Sequence, residues 1–182
     1  MLRKILMGVT LFLLVSVVVA CAGPASVPAP GPEPTPALPS PTSTPEPTPK
    51  PSGPITARWI EPQVDGDIIS IALSEVEDNW NTHFKLDVQG SRINFMAYVL
   101  DGEIYVRANV CPPCKSIGFA LDEDILVCAR CGTTFEADTG DGIQGACVNY
   151  PKESVLYEII DGKIVMNEAD LIDSYQKTIK AG

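Results

Sequence analysis

The chain of 182 residues has one histidine, His83. A single imidazole excludes any site built on two histidines, and no serine or cysteine can be placed beside it by spacing as a nucleophile–base couple. Glycine-rich phosphate loops are missing as well. The carboxylates are too numerous and too scattered to nominate an acid–base pair. Basic residues are also scarce: from Ile55 onward there are 10 Lys and Arg against 21 Asp and Glu, a formal charge of −11. That balance excludes nucleic acid as a partner and disfavours anionic lipid surfaces, because phosphate binding needs clustered Lys and Arg. It suits a surface facing water, cationic partners or metal ions.

Large apolar residues are nearly absent from residues 24–54, which hold 13 of the 17 prolines among Ser, Thr, Ala and Gly. No core can form there. Such a segment stays in extended polyproline II and acts as a semi-rigid spacer of about 3.1 Å per residue. Ahead of it, Arg3 and Lys4 precede an apolar run from Ile5 to Ala20. This is the three-part form of a secretory signal, and the run falls short of the about 20 residues that span a bilayer.

Val18-Val19-Ala20-Cys21 resembles the lipobox of bacterial lipoproteins. The Cys21 sulfur can carry diacylglycerol and, after cleavage, the freed amine a further acyl chain, which gives stable anchoring. The alternative is an ordinary cleavage site and a secreted protein. The expected organisation is a signal peptide over 1–20, a lipidated Cys21 with a proline-rich tether over 21–54, and one domain over 55–182. The expected location is extracytoplasmic, lipid-anchored to a bacterial cell membrane.

Within the domain, Asp67–Leu73 reads as a first strand, followed by strands at His83–Val88, Ile93–Leu100 and Glu103–Asn109. Gly90-Ser91 and Asp101-Gly102 separate them, the latter a two-residue hairpin signal. Val155–Ile160 and Lys163–Met166 bracket Asp161-Gly162 in the same way. Asn167 then stands at the N-cap of a helix over Glu168–Lys180, with Leu171, Ile172, Tyr175 and Ile179 on one face. The spacing predicts a mainly β domain with one C-terminal helix.

The chemistry lies in the cysteines. Cys111-Pro-Pro-Cys114 and Cys128-Ala-Arg-Cys131-Gly132 are two C-x-x-C pairs separated by 13 residues, and Cys147 lies 16 beyond Cys131. Each such turn lets two thiolates converge on one ion, and two turns together supply a tetrahedral set of sulfurs suited to zinc, a single iron or an iron–sulfur cluster. Disulfides are the competing reading for an exported chain. Five cysteines leave one unpaired, and two matching knuckles favour metal. The candidate ligands are Cys111, Cys114, Cys128 and Cys131, with Cys147 as a fifth ligand, a resolving thiol or a small buried residue. No catalytic residue is nominated.

Two resemblances follow from these residues. The run from Cys111 through Cys128-Ala-Arg-Cys131-Gly132-Thr133-Thr134-Phe135, Asp138-Thr139-Gly140, Tyr157 and Asp161-Gly162-Lys163-Ile164 resembles a Rieske [2Fe–2S] domain, whose pattern is C-x-H, then C-x-x-H-G-x-x-F. Here Cys114 and Cys131 stand near the two histidine places, and the first knuckle is one residue longer. An all-cysteine cluster carries more negative charge and a lower potential than a Rieske centre. The second resemblance covers nearly the whole domain and is to the FtrD-like membrane-associated iron–sulfur family. It rests on Ile69–Val76, His83-Phe84, Asp101-Gly102, both knuckles, Gly145-Ala146-Cys147 and Gly162-Lys163-Ile164-Val165. Where that family tends to have G-G-C-N-P, this chain has Gly145-Ala146-Cys147-Val148-Asn149. The resemblance implies a Rieske-like antiparallel β domain, an iron–sulfur cofactor, electron transfer in extracytoplasmic iron uptake, and a membrane redox or iron-transport partner. Zinc and mononuclear iron stay open as cofactors, and a thiol–disulfide exchanger or a zinc-stabilised binding module as functions.

Other residues read as structural: His83 within a strand, Asp122-Glu123-Asp124 as a solvated turn between the knuckles, and Trp59 and Trp80 as packing or edge aromatics.

Overall fold

The computed structural model describes residues 50–181. The expected signal peptide, Cys21 and nearly all of the expected tether lie outside them. The elements begin with β1 (Arg58–Trp59), β2 (Gln63–Asp65), β3 (Ile68–Ala72) and α1 (Leu73–Asn79). A meander of β4 (Asn81–Val88), β5 (Ser91–Leu100) and β6 (Glu103–Ala108) follows, then β7 (Phe119–Asp122), β8 (Ile125–Cys128), β9 (Thr134–Glu136) and β10 (Gly142–Gln144). The chain closes with β11 (Glu158–Ile160), β12 (Lys163–Asn167) and α2 (Glu168–Lys180). These strands form three four-stranded sheets ordered β1-β4-β5-β6, β10-β9-β8-β7 and β11-β12-β3-β2. Every pairing is antiparallel except the short β1 alongside β4. The expected mainly β antiparallel domain with a C-terminal helix is the one observed.

β5 organises the molecule. Its side chains alternate faces, as the period of two in a strand requires. Ile93, Phe95, Ala97 and Val99 enter one core with Phe84, Ile69, Ile71, Val76, Ile164, Met166 and Leu171. Met96, Tyr98 and Leu100 enter a second core with Phe119, Leu121, Leu126, Phe135 and three cysteines. One strand is thus buried on both faces and joins a base, formed by the first and third sheets with the helices, to the cysteine-bearing sheet.

The turns match the hairpin signals. Asp101 and Gly102 have φ of 51° and 82°, and Asp161 and Gly162 have 49° and 71°, the left-handed pair that a tight two-residue loop requires. The Asp122–Asp124 segment is the tight β7–β8 turn and its flank.

Three sequence expectations change in detail. The first strand stops at Ala72, and Leu73 opens α1 instead, where Val76 is fully buried. The second hairpin strand runs only from Glu158, because Val155 is drawn to the central sheet and donates its amide to Val106 O at 2.9 Å. Asn167 occupies the N-cap position of α2 in extended conformation, yet its side chain makes no capping hydrogen bond. The fully buried stripe of α2 is Leu171, Ser174 and Thr178, flanked by half-buried Ile172, Tyr175 and Ile179. Thr178 faces inward because its hydroxyl accepts the Glu153 amide at 3.1 Å.

Candidate metal centre

Cys111 lies just beyond β6, and its amide donates to Ser116 O at 2.8 Å, which folds the first knuckle back on itself. Lys115 takes the positive φ of 57° that the return needs. The second knuckle begins at the end of β8. The Cys128 amide donates to Thr133 O at 2.9 Å, and the Gly132 amide returns to Cys128 O at 3.0 Å with φ of 68° at Gly132. A bond from Ala129 N to Gly118 O, 2.9 Å, ties the two knuckles together.

Cys147 arrives from a third loop. Gly145 has φ of 122°, and a Cβ there would fall 2.6 Å from Thr133 Oγ1 and 2.7 Å from Thr133 Cα. Only glycine permits this approach. It seats the loop on Thr133, whose hydroxyl accepts the Cys147 amide at 3.3 Å and lies 3.2 Å from Cys131 Sγ. The same hydroxyl oxygen accepts the Cys131 thiol through its second lone pair.

All five cysteines of the domain converge, and none is in a disulfide. The sulfurs of Cys111, Cys114, Cys131 and Cys147 lie within 4.8 Å of one another. Cys128 falls outside that mutual set but sits against it, 3.7 Å from Cys114 Sγ, and Cys131 Sγ is likewise 3.7 Å from Cys147 Sγ. Four thiolates around a metal at about 2.3 Å define a tetrahedron with edges of about 3.8 Å. The donor chemistry fits the same group: sulfur alone, with no carboxylate or imidazole in the set. Cys111, Cys128 and Cys147 are buried, Cys114 is half-buried and Cys131 is exposed, so the centre meets solvent at one edge.

At Cys111, Cys114 and Cys131 the protonation preferences follow exposure. Burial, with hydrogen bonds to the Cys147 and Cys114 thiols, pushes the Cys111 thiol far up. Burial likewise raises Cys114, to about 11, although the Ser116 amide pulls the other way. At Cys131 burial also raises the pKa, but hydrogen bonds from the Thr133 hydroxyl and amide, helped by Cys128 and Cys114, outweigh it and bring the value to about 6. Protons that Cys111 and Cys114 retain in the free protein are ones a bound metal displaces.

The remaining singled-out residues stand apart from the sulfurs. His83 is buried in β4, where loss of solvation takes it down to about 4 despite a hydrogen bond with the Phe119 backbone. Trp59 is half-exposed on the edge strand, with its ring edge-on to His83 at 5.2 Å. Trp80 packs between both cores. Thr133 and Lys152, which prove to matter here, carry no spacing signal. Gly145 does, as the glycine ahead of a third cysteine.

The fold and the site together define a small antiparallel β domain that presents a thiolate-rich metal-binding centre on loops of one sheet. The chain belongs to the FtrD-like family of membrane iron–sulfur proteins, whose model matches residues 76–177. No curated protein matches it. Among solved structures it is similar to a chain in the complex of reduced oxygenase and oxidized ferredoxin in carbazole 1,9a-dioxygenase, at 18% identity and a TM-score of 0.47, with 57% of this chain and 95% of that one covered. It is also similar to a ferredoxin of Sphingomonas yanoikuyae B1, at 23% identity and a TM-score of 0.39, with 46% and 83% covered. Among the described residues no helix is long and apolar enough to cross a membrane.

Proposed function

We propose that this chain is an extracytoplasmic lipoprotein that carries electrons through an iron–sulfur centre held by its cysteine loops, and that it serves iron handling at the membrane to which Cys21 anchors it. The observation that carries the reading is the convergence of five sulfurs, three buried and one exposed. A centre shielded on most sides and open at one edge can exchange electrons with a docked partner while its ligands stay dry. Family membership supports iron–sulfur as the cofactor. The partner fitting this reading is a membrane redox or iron-transport component.

Cys111, Cys114 and Cys131 belong both to the spaced knuckles and to the mutual sulfur set. The fourth ligand is Cys128 by spacing or Cys147 by proximity, and single serine substitutions at these two positions assign it by metal content.

Protein purified without oxygen should contain iron and acid-labile sulfide, absorb visible light, and bleach reversibly on reduction. A colourless protein with stoichiometric zinc overturns the electron-carrier reading. The exposed, acidic Cys131 favours one second reading, thiol–disulfide exchange, since thiolate character and access govern that chemistry. Catalysis of disulfide exchange by metal-free protein and no iron in the native one would establish it instead. For the anchor, Cys21→Ala should leave the membrane fraction, and a variant that remains membrane-bound with its leader intact contradicts lipidation.

A further inference from the structure

Lys152 is fully buried. Its Nζ donates to Val110 O at 2.8 Å, one residue before Cys111, and to Tyr150 O at 2.6 Å. The same ammonium lies 4.2 Å from the ring centroid of Phe135 and 5.3 Å from that of Phe119. Both rings share the second core with Cys111, Cys128 and Cys147. The backbone of Lys152 is fixed on two sides: its amide donates to Gly140 O at 2.8 Å, and its carbonyl accepts Arg107 Nη1 at 2.8 Å. Gly140, at φ of 84°, has no room for a side chain, since a Cβ would fall 2.2 Å from Lys152 O.

An ammonium taken out of water is strongly destabilising unless an anion accompanies it. No carboxylate does so here. The ion pairs among the described residues are Lys85–Glu61, Arg92–Asp87 and Lys177–Asp173, all at the surface. The two carbonyls and two ring faces solvate Lys152 without neutralising it. Burial brings its pKa down to about 8, and the nearest groups that oppose this are the sulfurs, Cys111 foremost, then Cys128, Cys147 and Cys114, once they are thiolates. Arg107, the other buried cation, directs its donors at Tyr98 Oη and the carbonyls of Ala137, Asp138, Thr139 and Lys152. It therefore braces Lys152, and none of these bonds goes to sulfur. Four thiolates on a divalent ion leave a net charge of about −2, in an interior that disfavours it.

We propose that Lys152 is the built-in counter-charge of the sulfur centre: its ammonium stabilises the anionic metal–thiolate set in the interior and favours the more negative, reduced form, raising the reduction potential. The inference rests on the reading of the sulfurs as a metal centre, and it makes Lys152 a positioning and tuning residue that binds no metal itself.

The test uses the full chain, purified without oxygen, as wild type and as Lys152→Gln, Lys152→Met and Lys152→Arg. Gln keeps a hydrogen-bond donor for the Val110 and Tyr150 carbonyls but discards the charge, Met discards both, and Arg keeps the charge. Two quantities are read: the reduction potential, and the chelator concentration that strips half of the metal. Gln and Met should each shift the reduction equilibrium toward the oxidised form about tenfold, about 59 mV for one electron, and should lose metal at about tenfold lower chelator. Arg should stay near wild type in both. A folded Gln variant with wild-type potential and wild-type chelator resistance overturns the proposal, whether or not Met folds. If the native metal is redox-silent zinc, the electron-carrier reading fails on its own, and chelator resistance still decides the role of Lys152.

Discussion

The two cores of this molecule differ in what fills them. The first, between the base sheets and the helices, is mainly hydrocarbon, with Phe84 stacked on Phe95 at 5.5 Å and Phe95 edge-on to Tyr175 at 6.3 Å. The second shares β5 with it but surrounds three buried cysteines and a buried lysine with Phe119, Phe135, Leu121 and Leu126. One region can be stable through apolar burial alone. The other places thiols and an ammonium where hydrocarbon would otherwise be, and such a region gains stability when a metal converts the polar groups into a bonded set.

The largest effect that separates the regions is removal of ligands. Replacing Cys111 and Cys131 together with serine should abolish stoichiometric metal binding while the base keeps its helical signal. Metal analysis and circular dichroism report the two outcomes, and full metal retention would break the comparison. The reverse experiment attacks the hydrocarbon side. Phe84→Ala should destabilise the domain by about 3–5 kcal/mol in denaturant unfolding, with the metal-to-protein ratio of the folded fraction unchanged.

A smaller change acts through backbone alone. Gly145→Ala imposes positive φ on alanine and a contact with Thr133. It should lower stability by about 1–3 kcal/mol and, by withdrawing Cys147, reduce chelator resistance. Unaltered metal retention would show that the Cys147 loop is independent of the centre.

The smallest effect concerns His83, which lies under the second core but away from the sulfurs. Its pKa is depressed in the folded state from 6.5 to about 4, so the unfolded chain binds more protons below pH 6.5 and stability falls as pH falls through that window. Between pH 6.5 and about 5 the loss should reach about 2 kcal/mol. Unfolding midpoints of wild type and His83→Gln across this range check it, and parallel curves would assign the acid sensitivity to other groups.

Much of the hydrocarbon side was legible in the sequence. Strand periodicity located β4, β5, β6 and β12, two Asp-Gly pairs located turns, and α2 fell on the expected residues. What was not legible had non-local causes. Leu73 continues an apolar run but turns into α1, where its amide meets Gly162 O from a distant hairpin at 2.9 Å. Val155 looks like a strand residue but lies outside every strand, held by its amide bond to Val106 O. On the sulfur side, spacing put Cys128 ahead of Cys147, whereas the mutual sulfur set holds Cys147 and leaves Cys128 against it, 3.7 Å from Cys114 Sγ. That arrangement depends on the Gly145–Thr133 approach, which joins residues from two loops. Lys152 was illegible for the same reason: a lone lysine reads as solvated surface until the fold encloses it.

A metal bonded to sulfur would hold the second region, whereas hydrocarbon holds the first. Amide hydrogen exchange, compared between metal-loaded and chelator-treated protein, tests it most directly. Protection should fall across β7–β10 and the cysteine loops on metal removal and persist in β3, β4, β12 and α2. Equal loss across both regions, or no loss in either, would contradict it.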